Sequence, residues 1–101
     1  MRRILLILIA LTAAPHAWAQ GDQARGEDIA RQWCSECHAT ETSNTGTDTA
    51  PAWRAIALDP AKDDAALTTY LRNPHPAMRN IPLTEQDIQD VVAYIRALAF
   101  E

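Results

Sequence analysis

The sequence has few of the residues that a zinc site, a sheet or a disulfide framework would need. It contains two cysteines and three histidines in 101 residues. A structural zinc site takes four Cys or His ligands, usually in two pairs, and beyond residue 19 only His75 could join Cys34, Cys37 and His38. No strand-like alternation of useful length occurs, so a thioredoxin-like Cys-x-x-Cys pair would lack its βαβ surroundings. These absences predict an all-α chain and disfavour zinc binding and thiol–disulfide exchange.

Basic residues are also few, and no apolar run is long. Nine Lys or Arg stand against thirteen Asp or Glu. The apolar run over residues 4–11 is too short to span a bilayer as a helix. It follows Arg2 and Arg3 and precedes an Ala-x-Ala site at residues 17–19, which is the pattern of a secretory signal peptide. We therefore expect residues 1–19 to be removed and a domain of residues 20–101 to be periplasmic, with a retained anchor as the alternative.

The expected exported chain is small and acidic. It has 82 residues and a formal charge of −6, because seven Lys or Arg and thirteen Asp or Glu remain. This charge argues against nucleic acid and favours redox partners with a basic docking patch. A domain of this size gains little net stability from its own core, so a buried apolar group would supply missing area. We predict one monomeric domain with no membrane span.

One stretch, residues 33–38 (WCSECH), carries the strongest chemical signal. Cys-x-x-Cys-His is the attachment motif of c-type haem. The spacing puts the Cys34 and Cys37 thiols on one side of a helical turn, where they can add to two vinyl groups and form thioether bonds. His38 then lies under the porphyrin and can ligate the iron. A plain disulfide is the alternative, but it leaves His38 unexplained.

Caps and apolar spacing predict the first helix and a short turn after it. Asp22 caps a helix that runs to about Trp33. One face of this helix carries Gly26, Ile29, Ala30 and Trp33. Residues 39–50 form a polar loop by composition. A short apolar turn over residues 51–57 follows.

Two further helices follow from the same signals. One starts at Asp63 or Asp64 and ends at Asn73, before a proline. Its apolar face consists of Leu67, Tyr70 and Leu71. Thr84 and Asp87 form a capping-box-like pair for the last helix. Its apolar stripe is Ile88, Val91, Val92, Ile95, Leu98 and Ala99.

With the haem motif early, Met78 in the proline-rich loop over residues 73–83, and Tyr94 on a capped last helix, the chain resembles the small single-haem class I cytochromes c. The resemblance implies a cytochrome c-type fold, with three to four short helices and loops around one covalent haem c. It implies that Cys34 and Cys37 hold the haem. It also implies that His38 ligates the iron from the proximal side and Met78 from the distal side.

The resemblance implies supporting residues as well. The carbonyl of Pro51 would accept the ring N–H of His38 and fix its orientation. Trp53 would lie in the haem pocket, which here coincides with the core. Gly26 and Tyr94 would meet where the first and last helices cross.

Two positions depart from the family pattern. Ala30 stands where many relatives carry an aromatic residue that packs near Tyr94, so either Trp33 compensates or the crossing is looser. Arg79 follows Met78 where a proline is common. His75 competes with Met78 as a distal ligand, because it lies three residues away in the same loop.

The resemblance implies a one-electron carrier and not an enzyme. It would accept electrons from a dehydrogenase or quinol-oxidising complex and donate them to a terminal oxidase or reductase. A carrier-like subunit of a larger oxidoreductase would share every motif. A haem-based gas sensor or weak peroxidase is the alternative, and it requires a displaceable sixth ligand.

Overall fold

The computed structural model describes residues 21–42 and 45–101. Its elements are α1 (Gln23–Ile29), a π-helical turn (Ala30–Cys34), α2 (Trp53–Leu58), α3 (Asp64–Arg72), a 3₁₀ turn (Pro76–Met78) and α4 (Glu85–Leu98). These two ranges contain no strand, which confirms the all-α prediction. No helix within them has the length and apolar character to cross a membrane. The signal peptide predicted for residues 1–19 lies outside the described residues.

Side-chain caps start three of the four helices where the sequence places them. The Asp22 carboxylate accepts the Arg25 N–H at 3.1 Å. Asp63, rather than Asp64, caps α3 and accepts the N–H of Ala66 at 2.8 Å. At α4 both halves of the capping box form: Thr84 accepts the Asp87 N–H at 3.1 Å, and the Asp87 carboxylate accepts the Thr84 N–H at 2.8 Å. Local caps of this kind satisfy N–H groups that a helix start would otherwise leave unpaired.

Helix α4 is the central element, since each of the other three helices packs against it. Its predicted apolar stripe is buried from Ile88 to Leu98, whereas Ala99 follows the end of the helix and is only partly buried. The stripe joins one core cluster with residues of α1, the π-helical turn, α2 and α3. The loops before and after these elements therefore approach one another around a single helix.

α1 crosses α4 at a glycine, as predicted. A Cβ atom on Gly26 would lie 2.0 Å from the carbonyl oxygen of Asp90 and 2.9 Å from Cβ of Tyr94. Both distances are far below van der Waals contact, so this crossing admits no side chain. Glycine within a helix costs about 1 kcal/mol relative to alanine. The cost is offset here because the close approach of the two helix backbones leaves no room for a side chain.

A charge cluster around the buried Asp90 carboxylate stabilises the same crossing, and no local pattern in the sequence predicted it. Asp90 is only 1% exposed. It accepts the Asp22 N–H at 2.7 Å and the Arg25 guanidinium at 2.5 Å. Arg25 also pairs with Asp87 at 2.6 Å. Burial by itself raises the pKa of Asp90, but these hydrogen bonds outweigh burial and the net pKa is lowered.

The face predicted for α1 is correct up to Ala30 and wrong at Trp33. Ala30 is fully buried, whereas Trp33 is 44% exposed. The turn between them is π-helical, with the Ser35 N–H bound to the Ala30 carbonyl at 2.9 Å. A π turn contains more residues than an α turn, so residues beyond Ala30 leave the predicted face. Trp33 therefore does not compensate for Ala30, and the Tyr94 ring instead neighbours Trp53, with centroids 6.0 Å apart.

The crossing gives a direct mutational prediction. We expect Gly26→Val to destabilise the fold by about 3 kcal/mol, the upper end of typical overpacking costs, because the new side chain meets backbone atoms of α4. Thermal unfolding followed by circular dichroism measures the change. Ala24→Val, on an exposed part of the same helix, controls for the helix propensity of valine. Equal melting temperatures for the two variants would contradict the role assigned to Gly26.

Candidate functional site: a cavity beside the Cys-x-x-Cys-His turn

The Cys-x-x-Cys-His motif forms one tight turn after the π-helical turn. The N–H groups of Cys37 and His38 both bind the Cys34 carbonyl, at 3.2 and 3.0 Å. Cys34 is buried and Cys37 is exposed, and no disulfide joins them. The motif residues therefore lie in one backbone turn at the end of the π-helical turn.

The chemistry of Cys34 disfavours thiol–disulfide exchange. Burial raises the pKa of its thiol to about 11. The thiolate is the nucleophile in exchange reactions, and exchange-active cysteines have lowered pKa values. At neutral pH Cys34 would be almost entirely protonated in this environment.

The His38 ring is fixed by a hydrogen bond to the backbone. Its Nδ1 lies 2.7 Å from the carbonyl oxygen of Pro51, which is the contact that the family resemblance implies. Because a carbonyl only accepts, Nδ1 carries the proton and Nε2 keeps a free lone pair. A histidine oriented in this way suits metal ligation. The buried Trp53 ring lies against it, with centroids 5.9 Å apart.

A threonine that the sequence analysis missed ties the polar loop to this turn. The Thr47 hydroxyl donates to the Cys37 carbonyl and accepts the N–H groups of Thr49 and Ala50, both at 3.2 Å. Hydroxyl-to-backbone bonds two residues ahead are typical of Ser/Thr turns, so a threonine at position 47 of this polar loop was the available signal. The Trp53 N–H, bound to the Ala39 carbonyl at 2.9 Å, closes the same loop.

Tyr94 anchors the chain directly after the motif. Its hydroxyl donates to the carbonyl of Thr40 at 2.6 Å, and the contact is buried. Burial raises the pKa of this phenol, which keeps it protonated as a donor. The sequence predicted Tyr94 at the crossing with Gly26 but did not indicate its hydrogen bond to Thr40.

A cavity of about 410 Å³ lies between the motif turn, α2, α3, α4 and the proline-rich loop. It brings together His38, Pro51, Trp53 and Met78 from the predicted site, and His75 as well. Its other walls come from the predicted apolar faces of α3 and α4, together with Ile56, Lys62 and Ala66. Cys34 and Cys37 do not line it, but Cys37 directly precedes the lining residue His38.

The volume and the mostly apolar wall of the cavity suit a large apolar group, and its His and Met side chains suit a group that carries a metal. Its size falls in the usual range for ligand and cofactor sites. Cavities cost about 24 cal/mol per Å³, so an enclosed volume of this size would cost roughly 10 kcal/mol, as much as the whole stability of a small domain. The opening to solvent lowers that cost, but a small core still gains most from a filled cavity. Nitrogen and sulfur donors on the wall are suitable axial ligands for a haem iron.

The proline-rich loop presents two candidate donors to the cavity. The 3₁₀ turn is closed by the Met78 N–H bound to the His75 carbonyl at 3.0 Å. Met78 is partly buried and His75 is exposed. The His75 ring packs near Tyr70 of α3, with centroids 5.9 Å apart. His75 therefore lies beside the Tyr70 ring, and His75 and Met78 both line the cavity.

Known proteins with similar sequences include two cytochromes c, and a family model matches the chain as well. A family model described as "cytochrome C oxidase, cbb3-type, subunit III" matches residues 21–95. Cytochrome c-552 of Bradyrhizobium diazoefficiens is 30% identical over 99 residues, covering 97% of this chain and 94% of the relative. Cytochrome c6 of Cyanidioschyzon merolae is 30% identical over 97 residues, covering 95% and 92%.

A third relative has a different name. The photosystem II extrinsic protein V of Limnospira maxima is 31% identical over 108 residues, covering 76% of this chain and 82% of the relative. No solved structure matches the chain significantly. The family match, the two cytochrome relatives and the helical fold together show that the chain belongs to the cytochrome c family, as a small electron carrier with one covalent haem c and no enzymatic role.

Proposed function

We propose that the protein is a periplasmic one-electron carrier whose haem is attached through Cys34 and Cys37 and ligated by His38 and Met78. The single observation that carries this proposal is the cavity, because its wall includes both His38 and Met78. Two strong axial ligands leave no open coordination site for a substrate. The haem then supplies uptake and release of one electron with little change in bonding.

The residues around the cavity support this role by limiting reorganisation. The hydrogen bond from His38 to Pro51 fixes the proximal ring. Trp53, 3% exposed, excludes water behind it. A thioether is a soft ligand, so Met78 would favour the ferrous state and a higher reduction potential. Such a potential suits an acceptor from a dehydrogenase or quinol-oxidising complex and a donor to a terminal oxidase or reductase.

The charge of the chain supports a partner with a basic patch. Residues 20–101 carry a formal charge of −6, and the propionates of the haem add to it. Opposite charges raise association rates, and salt reduces the effect. The periplasmic location and the removal of the leader rest on the signal-peptide pattern of residues 1–19. We infer that the exported protein acts as a monomer.

A haem-based sensor or weak peroxidase is the second candidate, and one observation favours it. None of the residues of the 3₁₀ turn that holds Met78 is fully buried. A distal ligand on an exposed turn can be displaced by a diatomic gas if the turn opens. The two candidates differ in whether the sixth position is closed in the reduced state.

Carbon monoxide distinguishes these candidates. We expect the visible spectrum of the reduced protein to remain unchanged under carbon monoxide at neutral pH, because Met78 occupies the distal position. Absorption spectra recorded before and after gas addition measure this. Rapid formation of a carbon monoxide complex by the native protein would contradict the carrier proposal and support the sensor.

A further inference from the structure

Lys62 is unusual among the residues that line the cavity. It is the only Lys or Arg among them in the described ranges. Most of the wall is apolar, contributed by α2, α3 and α4. The Lys62 side chain is 47% exposed, so its ammonium lies at the solvent-facing edge of this apolar wall, where it can pair with carboxylates.

The position of Lys62 is fixed from two sides. Its ammonium lies 2.6 Å from the Asp59 carboxylate, and its N–H binds the Asp59 carbonyl at 3.0 Å. Its own carbonyl accepts a hydrogen bond from Arg96 of α4. Arg96 in turn pairs with Asp64 at the start of α3, at 2.8 Å. The segment between α2 and α3 is thus held against α4, with the lysine at the edge of the cavity.

A haem in this cavity brings two propionate carboxylates with it. Carboxylates form strong, charge-assisted hydrogen bonds to ammonium groups. We propose that Lys62 binds a haem propionate and that its charge raises the reduction potential, with Asp59 acting in the opposite direction. This inference rests on the proposed function, since it requires the haem to occupy the cavity.

The expected direction follows from the charges of the two redox states. Ferric haem carries one more positive charge than ferrous haem. A nearby cation therefore destabilises the ferric state more, and a nearby anion stabilises it. Lys62 would raise the potential and Asp59 would lower it.

The test uses the haem-loaded protein and its midpoint potential, measured by spectroelectrochemical titration. We expect Lys62→Gln to shift the potential downward, Asp59→Asn to shift it upward and Lys62→Arg to leave it close to the native value. Arg31→Gln is the matched control, because it removes the same charge from an exposed residue that does not line the cavity. The shift from Lys62→Gln should be several times that from Arg31→Gln.

Ionic strength provides the second measurement. A contact with the propionate should preserve the Lys62→Gln shift at high salt, whereas a long-range surface effect is screened. Equal shifts in Lys62→Gln and Arg31→Gln, or a Lys62→Gln shift that disappears at high salt, would overturn the inference. Those results would leave the proposed function intact if the variants keep their covalent haem and remain closed to carbon monoxide. Loss of covalent haem from the native protein itself would instead overturn the proposed function.

Discussion

Replacing Met78 by alanine will remove the weak red absorption that a sulfur ligand gives to ferric haem. The variant will also bind carbon monoxide when reduced, because the distal position opens. Its midpoint potential will fall, since the soft thioether that favours ferrous iron is lost. Absorption spectra of both redox states and a potentiometric titration measure these three effects on one sample.

The neighbouring residue gives the matched control. Arg79→Ala alters the same loop at an exposed residue that does not line the cavity, so it should keep the sulfur absorption and stay closed to carbon monoxide. If Met78→Ala also keeps the absorption and its potential, Met78 is not the ligand.

The competing ligand His75 has its own signature. A Met78→Ala protein that loses the sulfur absorption but remains closed to carbon monoxide would show that another donor reaches the iron. His75 lines the same cavity and is the next residue to replace. In that case the Met78→Ala, His75→Ala double variant should bind carbon monoxide.

Replacing both Cys34 and Cys37 by alanine will leave a chain that holds no covalent haem and is mostly unfolded. The cavity of about 410 Å³ would lose the group that fills it, and a domain of this size has little stability to spare. Haem-linked peroxidase staining on denaturing gels measures attachment. Far-ultraviolet circular dichroism measures the helix content.

Glu36→Gln is the control for this pair of replacements. Glu36 is exposed between the two cysteines, and its replacement keeps the attachment motif, so staining and helix content should both match the native protein. Removal of the native haem by acid-acetone extraction would contradict covalent attachment. Native helix content in the double variant would show that the core does not depend on the haem.

The helices were predictable because their signals are local. Asp22, Asp63 and Thr84 each accept an N–H group within three residues of themselves in the chain. The apolar residues of α4 repeat with the helical period, so they share the side of the helix that packs against the other three helices. The Cys-x-x-Cys-His motif is likewise a short-range pattern that points to haem, and together with the positions of Met78 and Tyr94 it pointed to the family.

The α-helical spacing predicted the wrong position for Trp33, because the backbone there is not α-helical. The π-helical turn Ala30–Cys34 changes the number of residues per turn. The residues of this turn do not predict a π-helix, since its alanine, arginine and glutamine are ordinary α-helix formers. The exposed position of Trp33 therefore could not be read from the α-helical spacing.

The remaining contacts depend on residues far apart in the chain. The bond between Arg25 and Asp90 joins positions 65 apart, and the bond between Tyr94 and Thr40 joins positions 54 apart. In neither pair does the sequence around one residue indicate which distant residue it contacts. Only the packing of α1 across α4 brings these groups into hydrogen-bonding distance.

By itself the sequence determined the helical class, the starts of three helices and the haem attachment turn, because neighbours in the chain decide each of them. The family resemblance already implied that His38 and Met78 meet at one haem, with His75 near Met78, but only the tertiary structure showed that these residues and Lys62 line one cavity. These side chains come from three separate segments, and their meeting depends on how three helices pack around α4. Burial against distant partners, which no local pattern records, fixes that arrangement.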